Sequence, residues 1–482
     1  MSTPNLFRGL NIKFRILIPK GQNETSKIPL WLRLGDSSFQ EIFYFIKIWG
    51  CSTVELFLVC IFMAMYALVD CHNFYASCER VFNPNLRETP VAILSNNDGC
   101  VISRSDEAKQ LDLPMGAPIF KWEHFCRQHK IQVLSSNYPL YGDMSARVMN
   151  ILTQFTPDVE VYSIDEAFLA FKGFDHYNFD DYGHQIRNRV LKWTGIPTCV
   201  GIAPTKALSK IANKIARKFP KRTKGVFVIG TDAQRIKALK WTTIDRVWGI
   251  GHRLQKRLQA IGCHTAYDFI QLDDDWVRSH FSIVEWRLKK DLEGIPTLEL
   301  GGRTTKKSIA TTRSFEHAYS DIEDIKERIA TFASNCAEKL RAQQSSCHMM
   351  IVMLRGSKYS KNSAQFCKSK TVLLPYPTNS TLTITKAAVE AMKQLFEAGL
   401  SYKKAGVIVT GLVPSDNHQL NLFVKENPKH KPLMSAIDQL NKKFKTAKVK
   451  IANQDLERTW KMRQDRLSPK YTTNINDIIV VT

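Results

Sequence analysis

The chain has 482 residues, of which 44% are hydrophobic and 10% aromatic, and its 68 Lys+Arg against 45 Asp+Glu leave a formal charge of +23. That length excludes one ordinary compact domain and divides into about three to five, with enough apolar surface for real cores. Cations in such excess call for a polyanionic partner, nucleic acid before anionic membrane, because each Lys or Arg that meets a phosphate releases a condensed counterion.

Residues 1–64 stand apart. The apolar stretch at 39–65 is interrupted by Glu41, Lys47 and Glu55, so no run reaches the roughly 18 to 20 residues of a membrane span. It also lies too far from the start for a secretory signal. Met63 or Met65 makes the more natural start, and the segment is read as an extension outside the fold, with no membrane partner.

From Tyr66 the pattern is regular. An apolar strand over 66–70 ends on Asp70, a second strand covers 91–94, and 103–111 is helical in composition. Strands over 159–162 and 167–171 flank Ser163-Ile164-Asp165-Glu166 as a hairpin or bulged strand. An amphipathic helix at 183–193, a buried strand at 198–203 and a basic helix at 206–219 complete one mixed α/β unit, 65–235. Residues 236–300 are short, helical and basic, with Gly249-Ile250-Gly251 between two helical stretches, and 301–308 reads as a linker. A second small α/β domain, 305–412, alternates helix 321–343, strands 349–354 and 371–374, helix 385–398 and strand 405–412. The remainder, 413–482, is polar, with 13 Lys+Arg against 5 Asp+Glu between 425 and 470, a local +8.

Three acids stand out by position. Asp70 closes a buried-type strand and Asp165-Glu166 sit inside an apolar one, where a carboxylate is costly unless something positive compensates it. A hard divalent cation such as Mg²⁺ does so, with substrate phosphates completing its octahedron. The alternative is a turn residue and an exposed hairpin tip. The eleven cysteines are scattered without a CxxC pair or a Cys/His cluster at zinc spacing, and read as reduced thiols of a cytoplasmic protein.

The flanking residues decide between these. Asp70-Cys71-His72-Asn73-Phe74-Tyr75-Ala76-Ser77-Cys78-Glu79 and Tyr162-Ser163-Ile164-Asp165-Glu166-Ala167-Phe168 resemble the paired palm motifs of Y-family DNA polymerases. Leu94-Ser95-Asn96-Asn97-Asp98-Gly99-Cys100-Val101-Ile102-Ser103-Arg104 and Met462-Arg463-Gln464 through Ser468-Pro469-Lys470-Tyr471-Thr472-Thr473 resemble the UmuC branch of that family. The resemblance runs from about residue 65 to the C-terminus. It implies an α+β, multidomain, right-handed fold: a ferredoxin-like palm with small fingers (65–235), a helical thumb (236–300), an α/β little finger (305–412) and a basic tail (413–482). It further implies that Asp70, Asp165, Glu166 and the backbone carbonyl of Cys71 hold two Mg²⁺. Phe74 and Tyr75 would face the incoming nucleotide, Tyr75 as the ring that leaves no room for a 2′-hydroxyl. Ser103, Lys109 and either Arg217 or Lys218 would meet the triphosphate, Lys109 without the bidentate geometry of an arginine.

Val247-Trp248-Gly249-Ile250-Gly251, followed by Leu254 and Leu258, resembles a helix–hairpin–helix, and Gly249 and Gly251 would let backbone N–H groups approach a DNA phosphate. In the tail, Gln419-Leu420-Asn421-Leu422-Phe423 has no core of its own to enter and resembles a sliding-clamp motif, with Gln419, Leu420, Leu422 and Phe423 as its contacts. The reaction expected is error-prone, template-directed DNA synthesis past damaged bases in the SOS response, without proofreading. Primer–template DNA, dNTP, the clamp, a cleaved UmuD dimer and a RecA filament are the implied partners. A nucleotide cyclase would lack the thumb, little finger and tail, and a DNA-binding scaffold could lose the acids.

Overall fold

The computed structural model describes residues 64–302, 305–357, 365–416, 427–444, 447–455 and 462–479; residues 1–63 of the extension and the string at 419–423 lie outside them. No helix among the described residues is long and apolar enough to cross a membrane. In chain order the first half runs β1 (Met65–Cys71), α1 (Phe74–Phe82), β2 (Val91–Leu94), β3 (Val101–Arg104), α2 (Asp106–Gln110), α3 (Ile119–Gln128) and β4 (Gln132–Ser135). Then follow α4 (Tyr138–Leu152), β5 (Val159–Val161), β6 (Glu166–Phe171), α5 (Phe179–Thr194), β7 (Thr198–Ala203), α6 (Lys206–Lys218), α7 (Pro220–Thr223) and β8 (Val226–Val228).

Tyr66, Ala67, Leu68 and Val69 are all buried, an unbroken apolar run that suits only a strand covered on both faces. Accordingly β1 is the centre of a five-stranded sheet in the order β5-β6-β1-β7-β8, antiparallel throughout except for β7 with β8. Helix α6 lies very close to β1 and β7. A Cβ at Gly201 would meet the backbone of Asn213 and Ser209, so only glycine admits the helix at that distance. Buried Asn213 then bridges the strands, its Nδ2 donating to the carbonyls of Leu68 (3.1 Å) and Cys199 (2.9 Å).

A second sheet, β3-β2-β4, is built around Ala92, Leu94, Val101, Leu113 and Cys126. Here the structure departs from the sequence reading. Ser103 is buried in β3 opposite Ile93, and the helix starts only where Ser105 Oγ accepts from the N–H of Ala108. Polar composition over 103–111 hid a strand whose alternate residues, Val101 and Ser103, face inward.

Five helices follow: α8 (Asp232–Trp241), α9 (His252–Ala260), α10 (Ala266–Ile270), α11 (Asp274–His280) and α12 (Ile283–Glu293). Thr231, Thr265 and Ser282 each open a helix with a reciprocal capping box. Their core, including Leu239, Val247, Leu258, Phe269 and Leu292, is continuous with Leu208, Ile211 and Ile215 of α6. Between α8 and Gly249 stands a short 3-10 turn, Ile244–Arg246, and α9 follows Gly251.

The next unit comprises β9 (Ser308–Tyr319), α13 (Ile322–Ala342), β10 (Ser345–Arg355), β11 (Cys367–Thr378), α14 (Thr381–Leu395) and β12 (Tyr402–Pro414), with strand order β11-β10-β12-β9, all antiparallel. β9 was not read from the sequence, because an edge strand with one solvated face carries few apolar residues: Ile309, Thr311 and Phe315 are buried amid exposed polar neighbours. Helix α15 (His430–Lys443) docks on this unit through a two-pronged Arg341–Asp438 pair (2.6 and 2.7 Å). Beyond it, residues 462–472 run along the end of β4 and α1.

Candidate active site

The register of β1 against β6 places Asp70 opposite Glu166, and the N–H of Cys71 donates to the carbonyl of Asp165 at 2.9 Å. A tight turn holds the acidic pair: Ser163 Oγ accepts from the N–H of Glu166 (3.0 Å) and donates to Asp165 Oδ1 (2.6 Å). The three carboxylates therefore gather at one end of the central strands.

Each carboxylate has a neighbour of its own. Arg217 at the end of α6 stands 3.4 Å from Asp70, and Lys210, two turns earlier on the same face, is 2.8 Å from Glu166. The tight seating of α6 at Gly201 brings both cations to the ends of β1 and β6. Burial, a hydrogen bond shared with Glu166 and repulsion from the other two acids outweigh Arg217 and push the Asp70 carboxyl up to about 7. The donor set is all oxygen, crowded with negative charge and only partly neutralised, which fits hard divalent cations. Among the described residues no three His, Cys, Asp or Glu side chains already enclose a common point, since each acid is turned to its protein partner.

Asn73 is a junction that sequence reasoning missed. It sits at φ 46°, ψ 43°, a left-handed conformation that asparagine tolerates, at the start of α1. Its Oδ1 accepts from Arg217 Nη2 (3.1 Å) and from Lys109 Nζ, and Lys109 also pairs with Asp106 at 2.8 Å. Two cations from different elements thus converge just past Asp70. Lys218 is exposed at the end of α6. Lys210 was legible in principle: with Arg217 it repeats at seven, two turns of one helix face.

Tyr75 is half-buried, stacked on Tyr141 (4.4 Å between centroids, 14° between planes), with Tyr138 edge-on at 6.3 Å. Phe74 is instead buried in the palm core. The buried Tyr141 hydroxyl donates to Glu79 Oε1 at 2.6 Å, and Ser468 Oγ donates to the same oxygen at 3.0 Å. Burial raises the Glu79 carboxyl, against the pull of these two donors.

On the thumb side, Gly249 takes φ +89°, and Gly251 heads α9 with open space where a Cβ would point and no side-chain cap. The first N–H groups of α9 are left available to an anion. Between the glycines and the acids, Lys210 Nζ lies over the rings of Tyr162 (4.4 Å), Trp248 (5.5 Å) and Phe168 (5.6 Å), and Trp248 Nε1 donates to the Tyr162 hydroxyl. This cation–aromatic group ties the thumb to the acidic turn.

Residues 69–214 match the impB/mucB/samB family, 306–422 match that family's C-terminal domain, and 431–481 match a domain of unknown function. Protein UmuC of Salmonella typhimurium is 38% identical over 421 residues, covering 86% of this chain and 100% of that protein. Protein ImpB of Salmonella typhimurium is likewise 38% identical, over 86% of this chain and 99% of its own length. DNA polymerase IV of Bacillus velezensis is 24% identical over 78% of this chain and 89% of its own. Among solved structures, a Y-family DNA polymerase chimera of Dbh and Dpo4 has a TM-score of 0.59 at 21% identity, over 72% of this chain and 99% of that one. The insertion ternary complex of Dbh DNA polymerase has a TM-score of 0.50 at 20% identity, with the same coverage.

Proposed function

Since the chain belongs to the impB/mucB/samB family, the UmuC branch of the Y-family DNA polymerases, we propose that it extends a primer past damaged template bases. It is a DNA-directed DNA polymerase with the Y-family fold. The observation that carries the mechanism is the gathering of Asp70, Asp165 and Glu166 beside two cations that converge on Asn73. The primer 3′-hydroxyl attacks the α-phosphate of a dNTP, the bond to the β-phosphate breaks, and pyrophosphate leaves.

Asp70, Asp165, Glu166 and the Cys71 carbonyl would hold two Mg²⁺. Bound there, these supply polarisation of the attacking hydroxyl and neutralise charge on the leaving pyrophosphate. Arg217 and Lys109 would meet the triphosphate by exchanging Asn73 for phosphate oxygens, with Ser103 on the adjoining strand. Of the two candidates at the end of α6, Arg217 is favoured by its contacts at Asp70 and Asn73, Lys218 being exposed. Tyr75, backed by Tyr141, would leave no space beside C2′ of the sugar. The α9 N-terminus at Gly249 and Gly251, together with the little finger, would hold the duplex by its backbone.

The family supports further assignments: action in the SOS response, and partnership with a cleaved UmuD dimer, a RecA filament and, through Gln419, Leu420, Leu422 and Phe423, a sliding clamp. Primer extension by purified protein with Mg²⁺ and dNTPs, on intact templates and on templates with an abasic site, tests the central reading. Extension of both supports it, and failure on both with Mg²⁺ and partners present sinks it.

A further inference from the structure

Residues 462–472 lie along β4, the start of α4 and α1, held by a series of hydrogen bonds. The N–H of Arg463 donates to Asn97 Oδ1 (3.0 Å) and that of Asp465 to Asp98 Oδ2 (2.9 Å). Arg466 and Ser135 exchange bonds, the N–H of Arg466 donating to Ser135 Oγ (3.0 Å) and the N–H of Ser135 to the Arg466 carbonyl (2.9 Å). Asn137, which caps α4 with its oxygen, donates from Nδ2 to Ser468 Oγ (2.9 Å) and the Pro469 carbonyl (3.0 Å).

The segment ends on α1. Ser468 Oγ donates to Glu79 Oε1, and the Tyr471 ring stacks on Phe82 at 5.0 Å and 8°. Tyr75, Glu79 and Phe82 follow one another at steps of four and three, so they share one face of α1. Tyr141 faces Tyr75 with its ring and Glu79 with its hydroxyl. Four groups therefore form one chain of contact: Ser468 to Glu79, Glu79 to Tyr141, Tyr141 to Tyr75.

We propose that residues 462–472 are a strap that positions Tyr75 through Ser468, Glu79 and Tyr141, and thereby sets how strictly ribonucleotides are rejected. Ser468 is a positioning residue in this arrangement: it does not touch the nucleotide. Removing its hydroxyl leaves the buried Glu79 carboxylate with a single side-chain donor, and the Tyr141 hydroxyl that satisfies it must shift, carrying the ring behind Tyr75. The inference rests on the reading of Tyr75 as the residue that selects the sugar.

The test measures single-turnover incorporation of matched dNTP and rNTP by full-length Ser468→Ala, Ser468→Thr, Tyr471→Ala and Tyr75→Ala, with melting temperatures alongside. Ser468→Ala is expected to lower dNTP-over-rNTP selectivity by about three- to tenfold, the equivalent of one weakened hydrogen bond. Ser468→Thr should restore it, and Tyr471→Ala should act in the same direction without touching Glu79. If Tyr75→Ala loses selectivity while Ser468→Ala and Tyr471→Ala keep it, the strap is overturned and the sugar-selecting role of Tyr75 stands. Equal loss of dNTP and rNTP incorporation in the strap variants also overturns it, since that is what a merely structural segment would give. Should Tyr75→Ala itself keep selectivity, the reading of Tyr75 fails and the strap proposal falls with it.

Discussion

Asp70 and Glu166 face each other across β1 and β6, two acids that the sheet register forces together. Like charges at this separation resist simultaneous ionisation, so the pair stores a repulsion that a divalent cation relieves. Asp165→Asn or Glu166→Gln is expected to lower primer extension by about 10³-fold or more while duplex binding changes little. Gel-shift and extension assays on the same preparations check this, and parallel loss of binding would make the pair structural.

The sign of the pH dependence follows from the same pair. The folded-state carboxyl of Asp70 lies at about 7 against an ordinary 3.8. A raised carboxyl disfavours the folded state as pH climbs from about 4 towards 7, and the penalty, on the order of a few kcal/mol, is fully present above 7. Melting temperature without metal should therefore fall across that window. Added Mg²⁺ should raise it more at pH 8 than at pH 6, where a proton already occupies Asp70. Asp70→Asn should stabilise the metal-free protein at pH 8, and a destabilised variant would contradict the assignment.

Arg217→Ala is expected to raise the KM for dNTP by about ten- to a hundredfold, from the loss of a charge-assisted contact to phosphate. Lys218→Ala should stay within about twofold of the parent enzyme. Steady-state kinetics on a short primer distinguish the two. The reverse ranking would assign the triphosphate contact to Lys218.

Gly201→Ala should destabilise the protein by about 3 kcal/mol or more, because the added methyl meets helix backbone and has no room to shift. Chemical denaturation checks the stability. Activity should fall further than stability predicts, since α6 carries both Lys210 and Arg217. An unchanged denaturation midpoint would show that α6 is looser than the Asn213 bridge implies.

Leu422→Ala with Phe423→Ala should abolish stimulation by a sliding clamp and leave distributive synthesis on short primers intact. The comparison is extension with and without clamp. Equal loss in both would place the two residues in the fold.

Strands buried on both faces, such as β1, β2 and β7, were legible because a continuous apolar run has few alternatives. β9 and the strand carrying Ser103 were not, since each exposes one polar face and reads as loop or helix. Among site residues, the acids announced themselves by standing in apolar surroundings. Asn73 and the Glu79–Ser468 link did not: their roles depend on which distant elements the sheet and α6 bring close, and local pattern carries no trace of that. Tyr141 reads as an ordinary core aromatic until its hydroxyl is seen on Glu79.

The Glu79–Ser468 bond joins positions 389 residues apart. A ribosome working at about 5 to 20 residues per second makes the second partner roughly 20 to 80 s after the first. Throughout that interval the nascent palm carries a buried carboxylate short of one donor, and the first helix of the catalytic unit waits for a partner made long after it. Completion of that helix is thus a late, long-range closure with a large loop entropy to overcome. Any shortening that removes residue 468 would yield a chain in which every catalytic acid is present but the buried Glu79 on the helix beside them keeps only the Tyr141 donor.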